Sequence, residues 1–213
     1  YAQPGAVSIA QSTEMGTVYT VEEVAAIGEC AHELGLRLHM DGARIANAAV
    51  SLGVPVADFT INAGVDILSF GGTKNGMLMG EVIVVFNPYV VRGVEYFRKS
   101  YMQLNSKMRF ASAQMIALLS DNLWLSSAAH ANAMAQKLKS AVEQIPGIAI
   151  EVPTDANAVF ARLPAEVVER LQEKWRFYTW DSPTLARWMC AWDTQESDVD
   201  AFVAVIATEM AAR

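Results

Sequence analysis

The sequence has few charged residues and few cysteines, and it lacks a long apolar run. Charged residues make up 18% of the 213 positions, whereas hydrophobic residues make up 53%. No apolar run approaches the ~18 residues that a membrane-spanning helix needs, and no basic leader precedes one. We therefore expect neither membrane insertion nor secretion. The apolar composition instead predicts a large core and a buried subunit interface.

The cysteine content and the net charge exclude two further classes of protein. Cys30 and Cys190 show no metal-ligand spacing, which predicts reduced thiols in a cytoplasmic protein and no metal site. The net charge is −7, and the basic cluster from Arg92 to Lys99 is diluted by Glu95 and aromatic residues. Nucleic-acid binding needs basic stripes, so we expect no nucleic-acid partner.

The first half of the chain alternates short apolar runs with helical patterns. Thr20 and Glu23 form a capping box at the start of one helix, and Gly35 stands where a glycine would end it. Apolar runs predict buried strands over residues 7–10, 36–40, 66–70 and 82–86, with a short helix over 43–52. This alternation predicts an α/β sheet with helices on both faces. Ligands of such sheets bind outside the carboxyl ends of the strands.

The second half of the chain has a different pattern of predicted helices and strands. Residues 89–104 and 107–139 show long helical patterns, the second with one or two breaks. After Pro146 and Gly147, short strands near 148–152, 159–163 and 186–192 alternate with helices near 164–174 and 196–212. We predict a large domain with a mixed sheet over residues 1–105 and a smaller α+β domain over residues 106–213.

Three polar residues follow the predicted strands of the first half. Lys74 lies in the glycine-rich turn 71–76, where a lysine among buried strands can be partly desolvated and attack an aldehyde. Asp41 directly follows a strand, where its carboxylate could hold the proton of a pyridine nitrogen. Arg44 could bind a carboxylate through two parallel hydrogen bonds. Pyridoxal 5′-phosphate chemistry needs this set of groups. Each residue also has an ordinary interpretation, as a loop lysine, a helix cap and a surface arginine.

Together these residues resemble the threonine aldolase and β-eliminating lyase family of fold-type-I pyridoxal-phosphate enzymes. The lysine loop is most similar to the low-specificity threonine aldolase and phenylserine aldolase branch. The resemblance covers nearly the whole chain, through residues 7–19, 38–44, 69–76, 106–114 and 187–192. It implies a fold-type-I transferase-like α/β fold, in which residues 1–105 form a partial large domain that binds the cofactor.

The resemblance implies how the cofactor is held. Lys74 would form the Schiff base with pyridoxal phosphate, and Asp41 would pair with the ring nitrogen; both would be catalytic. Thr73 and Arg109 would also bind the cofactor, Arg109 through the phosphate or at a neighbouring site. For His39, two positions before Asp41, we favour a hydrogen-bonded supporting histidine over a catalytic base.

The resemblance also implies how the substrate is held. Arg44 and Arg187 would clamp the α-carboxylate, although Arg187 taken alone reads as a half-exposed residue at a strand edge. About the first 130 residues of a complete member would be absent, and with them a phosphate-binding turn and a histidine that stacks on the ring.

The implied reaction is cleavage of an L-β-hydroxy-α-amino acid to glycine and an aldehyde. Two alternatives stay open. One is a β-eliminating lyase or aminotransferase of the same fold, and the other is a non-catalytic fragment that needs a partner chain. We expect a homo-oligomer, either a dimer or a tetramer, or a companion N-terminal chain.

Overall fold

The computed structural model describes residues 2–89 and 92–212. The chain forms two compact units. Unit 1 contains residues 2–12 and 19–125, and unit 2 contains residues 13–18 and 126–212. The domain boundary that we expect between residues 105 and 106 stays a prediction; the division into compact units falls after Leu125.

Unit 1 is built on a four-stranded sheet in the order β1-β2-β3-β4. The first three strands are parallel and β4 is antiparallel to β3, so the predicted mixed sheet is confirmed. The elements in chain order are β1 (Ala6–Ala10), α1 (Val21–Glu33), β2 (Arg37–Gly42), α2 (Ile45–Leu52), β3 (Ile67–Gly71), β4 (Glu81–Val85), α3 (Val94–Ser100) and α4 (Arg109–Leu119).

Helix α1 begins and ends as its sequence predicts. The Thr20 hydroxyl accepts a hydrogen bond from the Glu23 amide (3.1 Å), and the Glu23 carboxylate accepts one from the Thr20 amide (2.8 Å). At the other end Gly35 has φ +71°, and the Leu36 amide donates to the Ala31 carbonyl at 2.8 Å. This left-handed turn satisfies the last carbonyls of the helix and leads the chain directly into β2.

The core of unit 1 lies on one face of the sheet. Ile9, Leu38, Met40 and Leu68 point to this face and pack with side chains of α1 and α2. The alternate residues point to the other face, where the described residues form no core cluster. The prediction of a strand over residues 82–86 is confirmed by β4, but the prediction that this strand is buried is wrong, because Ile83 is 59% exposed.

A buried carboxylate joins three segments at the amino ends of β2 and β3. Asp66 is 3% exposed and accepts hydrogen bonds from the Leu38 amide (2.9 Å) and from Asn87 Nδ2 (3.0 Å). His32 Nε2 of α1 lies 2.9 Å from the same carboxylate. His32 is exposed, but it is anchored to the core through this contact.

The long helical patterns are interrupted more often than the sequence predicts. Of residues 89–104, only those of α3 are helical among the described residues, and Val90 and Val91 lie outside them. A break between α4 and α5 (Leu123–Val142) is confirmed, because Asp121 and Asn122 have φ values of +52° and +58°.

Unit 2 contains an antiparallel sheet in the order β5-β6-β8-β7. Trp188 and Phe202 pack at the centre of its core, with ring centroids 5.3 Å apart. None of the helices in the described residues is long and apolar enough to cross a membrane. The remaining elements are β5 (Ala149–Ile150), β6 (Ala158–Arg162), α6 (Ala165–Gln172), β7 (Tyr178–Trp180), β8 (Ser182–Met189) and α7 (Glu196–Ala211).

Candidate active site

The carboxyl ends of β2 and β3 bring two of the predicted site segments to one edge of the sheet. The two strands are parallel, and Asp41 is paired with Ser69 in their register. Asp41 is the penultimate residue of β2, and the loop that carries Lys74 starts directly after β3. Both segments therefore leave the sheet at the edge where ligands of α/β folds bind.

A glycine allows these two segments to touch. A Cβ atom at Gly71 would lie 2.6 Å from Ala43 Cα and 2.7 Å from the Ala43 carbonyl oxygen. Real Cβ atoms do not approach backbone so closely, and only glycine fits at this position. The turn that follows Asp41 thus packs directly against the start of the lysine loop.

Asp41 has one carboxylate oxygen engaged and is exposed. Its Oδ1 accepts a hydrogen bond from the Ala43 amide at 2.9 Å, which fixes the side chain against its own turn. Its Oδ2 is the oxygen that this hydrogen bond does not engage. An oriented carboxylate with one oxygen available can accept a hydrogen bond from a protonated ring nitrogen.

The lysine loop is ordered, but Lys74 itself is exposed. Residues 73–75 form one turn of 3-10 helix, which ends at Gly76 with φ +106°. Asn75 is 6% exposed, and its side-chain amide donates to the Trp124 carbonyl at 2.8 Å. The expectation that Lys74 is partly desolvated is wrong, because Lys74 is exposed to solvent. The buried polar residue of this loop is its neighbour Asn75.

The Thr73 hydroxyl is engaged within the loop. It accepts a hydrogen bond from the Gly80 amide (3.2 Å) and donates one to the Gly80 carbonyl (3.3 Å). Glu81 and Gln114 also bind the backbone of this loop, and sequence reasoning missed both. No local pattern could have identified Gln114, since it lies 36 positions from its partner Leu78. The cofactor-binding role of Thr73 stays a prediction.

His39 is held between two serines on the sheet face that carries Asp41. Its Nδ1 lies 2.8 Å from Ser8 Oγ, and its Nε2 lies 2.9 Å from Ser69 Oγ. Both ring nitrogens thus have partners, which confirms a hydrogen-bonded histidine. These contacts join β1, β2 and β3 on that face, two residues before Asp41 along β2.

Arg44 and Arg109 begin helices of unit 1. Arg44 precedes α2 directly, is half-buried, and its carbonyl accepts a hydrogen bond from the Ala48 amide at 3.2 Å. Arg109 is exposed at the start of α4, with its guanidinium carbon 5.0 Å from the centre of the Phe110 ring. Arg44 thus belongs to the turn that carries Asp41. The cofactor role of Arg109 stays a prediction.

Arg187 belongs to unit 2 and lies between two aromatic rings. Its guanidinium carbon is 5.4 Å from the Trp180 ring centre and 6.0 Å from that of Phe160. Burial lowers the pKa of Arg187, and the charge of Glu14 partly offsets this effect. Its buried Nε has no hydrogen-bond partner in the described residues. A partly desolvated guanidinium with a free donor is suited to bind an anion.

The available groups fit pyridoxal phosphate. An exposed primary amine at Lys74 can react with an aldehyde, and Asp41 offers a carboxylate oxygen at the same strand edge. Ser12, two residues beyond β1, adds a buried hydroxyl for which the described residues provide no partner. The described residues contain no group of three or more side chains suited to hold a metal ion.

Comparisons with known proteins agree with this reading of the fold. The family model described as "Beta-eliminating lyase" matches residues 1–166. A low specificity L-threonine aldolase from Pseudomonas sp. (strain NCIMB 10558) is 48% identical over 213 residues, which cover 100% of this chain and 62% of that protein. The same named enzyme from Pseudomonas aeruginosa is 46% identical over 91% of this chain and 56% of its own length.

A solved structure extends the similarity to three dimensions. The Leishmania major threonine aldolase superposes with a TM-score of 0.88 at 30% identity, over 97% of this chain and 61% of that one. The predicted fold-type-I class is confirmed. The chain spans less than two thirds of the length of these relatives. Since the family match includes both Asp41 and the Lys74 loop, the chain belongs to the β-eliminating lyase family.

Proposed function

We propose that this chain is the part of a pyridoxal-phosphate-dependent aldolase that carries the reactive lysine, and that the enzyme cleaves L-β-hydroxy-α-amino acids to glycine and an aldehyde. The observation that carries this proposal is the direct contact between the Asp41 turn and the Lys74 loop at one strand edge, through Gly71 and Ala43. Two relatives named low specificity L-threonine aldolase, 48% and 46% identical, support this choice among the reactions of the fold.

Residues of unit 1 would hold the cofactor. The Lys74 amine would bind its aldehyde, and Asp41 Oδ2 would accept the hydrogen bond of its protonated ring nitrogen, while Oδ1 stays fixed by the Ala43 amide. Pyridoxal phosphate, when bound, supplies a ring that withdraws electrons from the substrate Cα. A fixed carboxylate keeps its orientation during the reaction, and its electrostatic effect therefore needs no reorganisation. Thr73 and Arg109 remain proposed cofactor ligands.

Arg44 and Arg187 would bind the substrate carboxylate. A guanidinium presents parallel donors that match a carboxylate in both charge and shape. Arg187 shows the clearer features of an anion-binding residue. Its Nε is buried without a hydrogen-bond partner in the described residues, and the charge of Glu14 offsets only part of the effect of burial on its pKa. Binding an anion would supply both the missing hydrogen bond and the missing charge. The substrate carboxylate would thereby be oriented before the carbon–carbon bond is cleaved.

The apolar surface of unit 1 supports a further component in the working enzyme. Leu78, Met79 and Ile83 are 86%, 58% and 59% exposed, and Phe110 and Ile116 of α4 are 60% and 68% exposed. Gln114 of α4 binds the Leu78 and Met79 amides, so the lysine loop and α4 lie next to each other. Monomers rarely expose large apolar patches. We propose that a second copy of the chain, or a further segment such as the relatives contain, covers this surface. A cytoplasmic location is likewise proposed, in keeping with two free cysteines.

Product analysis tests the proposed reaction. The enzyme that contains this chain is purified and incubated with pyridoxal phosphate and either phenylserine or threonine. Glycine and an aldehyde in equal amounts support the proposal, whereas ammonia with a keto acid indicates the β-eliminating alternative. Lys74→Ala should abolish the reaction, and Lys99→Ala, a change of an exposed helical lysine in the same unit, should not. Full activity of Lys74→Ala would refute the assignment, and no activity of the unaltered protein would favour the non-catalytic reading.

A further inference from the structure

The lysine loop is the connection between β3 and β4, and it is closed at its base by a charged residue. The backbone of Gly71, the last residue of β3, pairs with that of Glu81, the first residue of β4. The nine residues between them include Lys74. One step inside this base, the Thr73 hydroxyl bonds both backbone groups of Gly80. The arrangement fixes where the loop leaves the sheet.

The Glu81 side chain binds the backbone immediately before Lys74. One carboxylate oxygen accepts a hydrogen bond from the Gly72 amide at 3.2 Å, and the other accepts one from the Thr73 amide at 3.4 Å. These amides belong to the start of the 3-10 turn that contains Lys74. The first amides of a helical turn have no partner within it, and a carboxylate is the acceptor that suits them best.

A second side chain holds the far end of the loop. Gln114 Oε1 of α4 accepts hydrogen bonds from the amides of Leu78 (3.0 Å) and Met79 (3.4 Å). The loop thus has a near anchor at Glu81 and a far anchor at Gln114. Only the near anchor is bonded to the residue that directly precedes Lys74.

The orientation of Lys74 depends on backbone because its side chain has little else to hold it. The residue is exposed and its side chain has four rotatable bonds. Packing therefore does not select its direction, and the Cα–Cβ vector set by residues 72–75 becomes the main constraint. A small rotation of that turn moves the amine by a much larger distance than it moves the backbone. Catalytic groups lose efficiency when they are displaced by about 1 Å.

We propose that Glu81 is a positioning residue for Lys74. Its carboxylate orders the first turn of the lysine loop and so directs the amine towards the strand edge that carries Asp41. The inference deepens the proposed function and rests on it, since it takes Lys74 as the lysine that binds the cofactor aldehyde. Glu81 acts through the amides of Gly72 and Thr73 and needs no contact with cofactor or substrate.

Two measurements on the same variants test this role. The chain is treated with pyridoxal phosphate and borohydride, and peptide mapping gives the ratio of label on Lys74 to label on Lys99. Amide hydrogen exchange of residues 72–73 and 78–79 is measured in parallel. The variants are Glu81→Ala, Glu81→Gln, which keeps one acceptor oxygen, and Gln114→Ala. Glu29→Ala, an exposed glutamate of α1, is the matched control.

The proposal predicts different results at the two anchors. Glu81→Ala should speed exchange at residues 72–73 and lower the labelling ratio, each by about fivefold, which is the scale of a lost hydrogen bond. Glu81→Gln should restore part of the ratio. Gln114→Ala should speed exchange at residues 78–79 and leave the ratio within about twofold of the unaltered chain. Glu29→Ala should change neither quantity.

The outcomes separate this inference from the proposed function. An unaltered chain that labels Lys74 no more than Lys99 overturns the choice of Lys74, and the positioning role with it. Preference for Lys74 that persists in Glu81→Ala overturns the positioning role alone. An equal loss of preference in Gln114→Ala also overturns it, because the effect would then reflect general loop order.

Discussion

Replacement of Asp66 by asparagine should destabilise unit 1 in a pH-dependent manner. The carboxylate is 3% exposed and binds the Leu38 amide, Asn87 Nδ2 and His32 Nε2. Burial by itself would raise the pKa of Asp66, but these hydrogen bonds and the charge of His32 together hold it below its ordinary value of 3.8. The folded chain therefore favours the ionised carboxylate more strongly than the unfolded chain does.

The magnitude follows from the contacts that asparagine cannot make. Its single oxygen, placed where Oδ2 lies, can still accept hydrogen bonds from the Leu38 amide and from His32. Its NH₂ group would then replace Oδ1 and face Asn87 Nδ2, which approaches as a donor. Hydrogen bonds to charged groups contribute about 1.5–3 kcal/mol each, and an unpaired buried donor adds about 1–3 kcal/mol. We expect the free energy of unfolding at neutral pH to fall by about 2–4 kcal/mol, a large part of a typical stability of about 5–15 kcal/mol.

The sign of the pH dependence is fixed by the direction of the shift. Because the folded-state pKa of Asp66 is lowered, its stabilisation is fully present above the unfolded-state value near 3.8. It is lost as the pH falls through the lower folded-state pKa. The difference between the unaltered chain and Asp66→Asn should therefore be constant near neutral pH and shrink in acid.

Urea denaturation with amide exchange of β2 as the local probe measures this difference. Asp58→Asn is the matched control, since Asp58 is half-buried and accepts a single side-chain hydrogen bond from Asn62. It should change stability by less than about 1 kcal/mol. A difference for Asp66→Asn that is no larger than for Asp58→Asn would refute the reasoning. A difference that stays constant down to acid pH would refute the role assigned to the charge.

Three further predictions concern the site and its surroundings. Asp41→Asn should keep the fold but lose activity by more than about 100-fold, because asparagine carries no charge to retain a ring proton; activity above about a tenth would count against Asp41. Gly71→Ala should lower the unfolding free energy by about 1–3 kcal/mol, since its Cβ would lie 2.6 Å from Ala43 Cα, whereas Gly5→Ala has no atom within 4 Å and should be neutral in the same denaturation assay. Light scattering should find a dimer, a higher oligomer or a complex with a companion chain, and a stable monomer would contradict the proposed cover of the apolar surface.

Features encoded by neighbouring residues could be predicted from the sequence. The capping box of Thr20 and Glu23 needs only a spacing of three, and it is present with both hydrogen bonds. Asp41 and Lys74 could be placed at one edge because parallel strands end on the same side of a sheet. The glycines around Lys74 permit close approach of backbone, but they do not identify Ala43 as the residue that Gly71 contacts.

Two features of the fold could not be predicted, one because its local signals are weak and the other because it depends on distant partners. Strand β7 contains only three residues, and Asp181 alone separates it from β8, in the left-handed conformation with φ +58°. Pro183 is the second residue of β8, and a proline at this position is more typical of a loop than of a paired strand. The sequence therefore does not indicate a hairpin here. The exposure of β4 also escaped prediction, because an apolar run shows that a strand can be buried but does not show what covers it.

The conformation of the Lys74 loop and the solvation of the Lys74 amine depend on different parts of the protein. The geometry of its loop comes from nearby groups, Glu81 at one end and buried Asn75 in the middle, and this chain supplies both. Desolvation of the amine needs surface from elsewhere, and the exposed apolar residues Leu78 and Ile83 lie on the same loop and the strand that follows it. A component that covers those residues would remove water from the neighbourhood of Lys74 as well. Under the proposed function, the same event that buries the apolar surface would therefore complete the environment that a reactive amine requires.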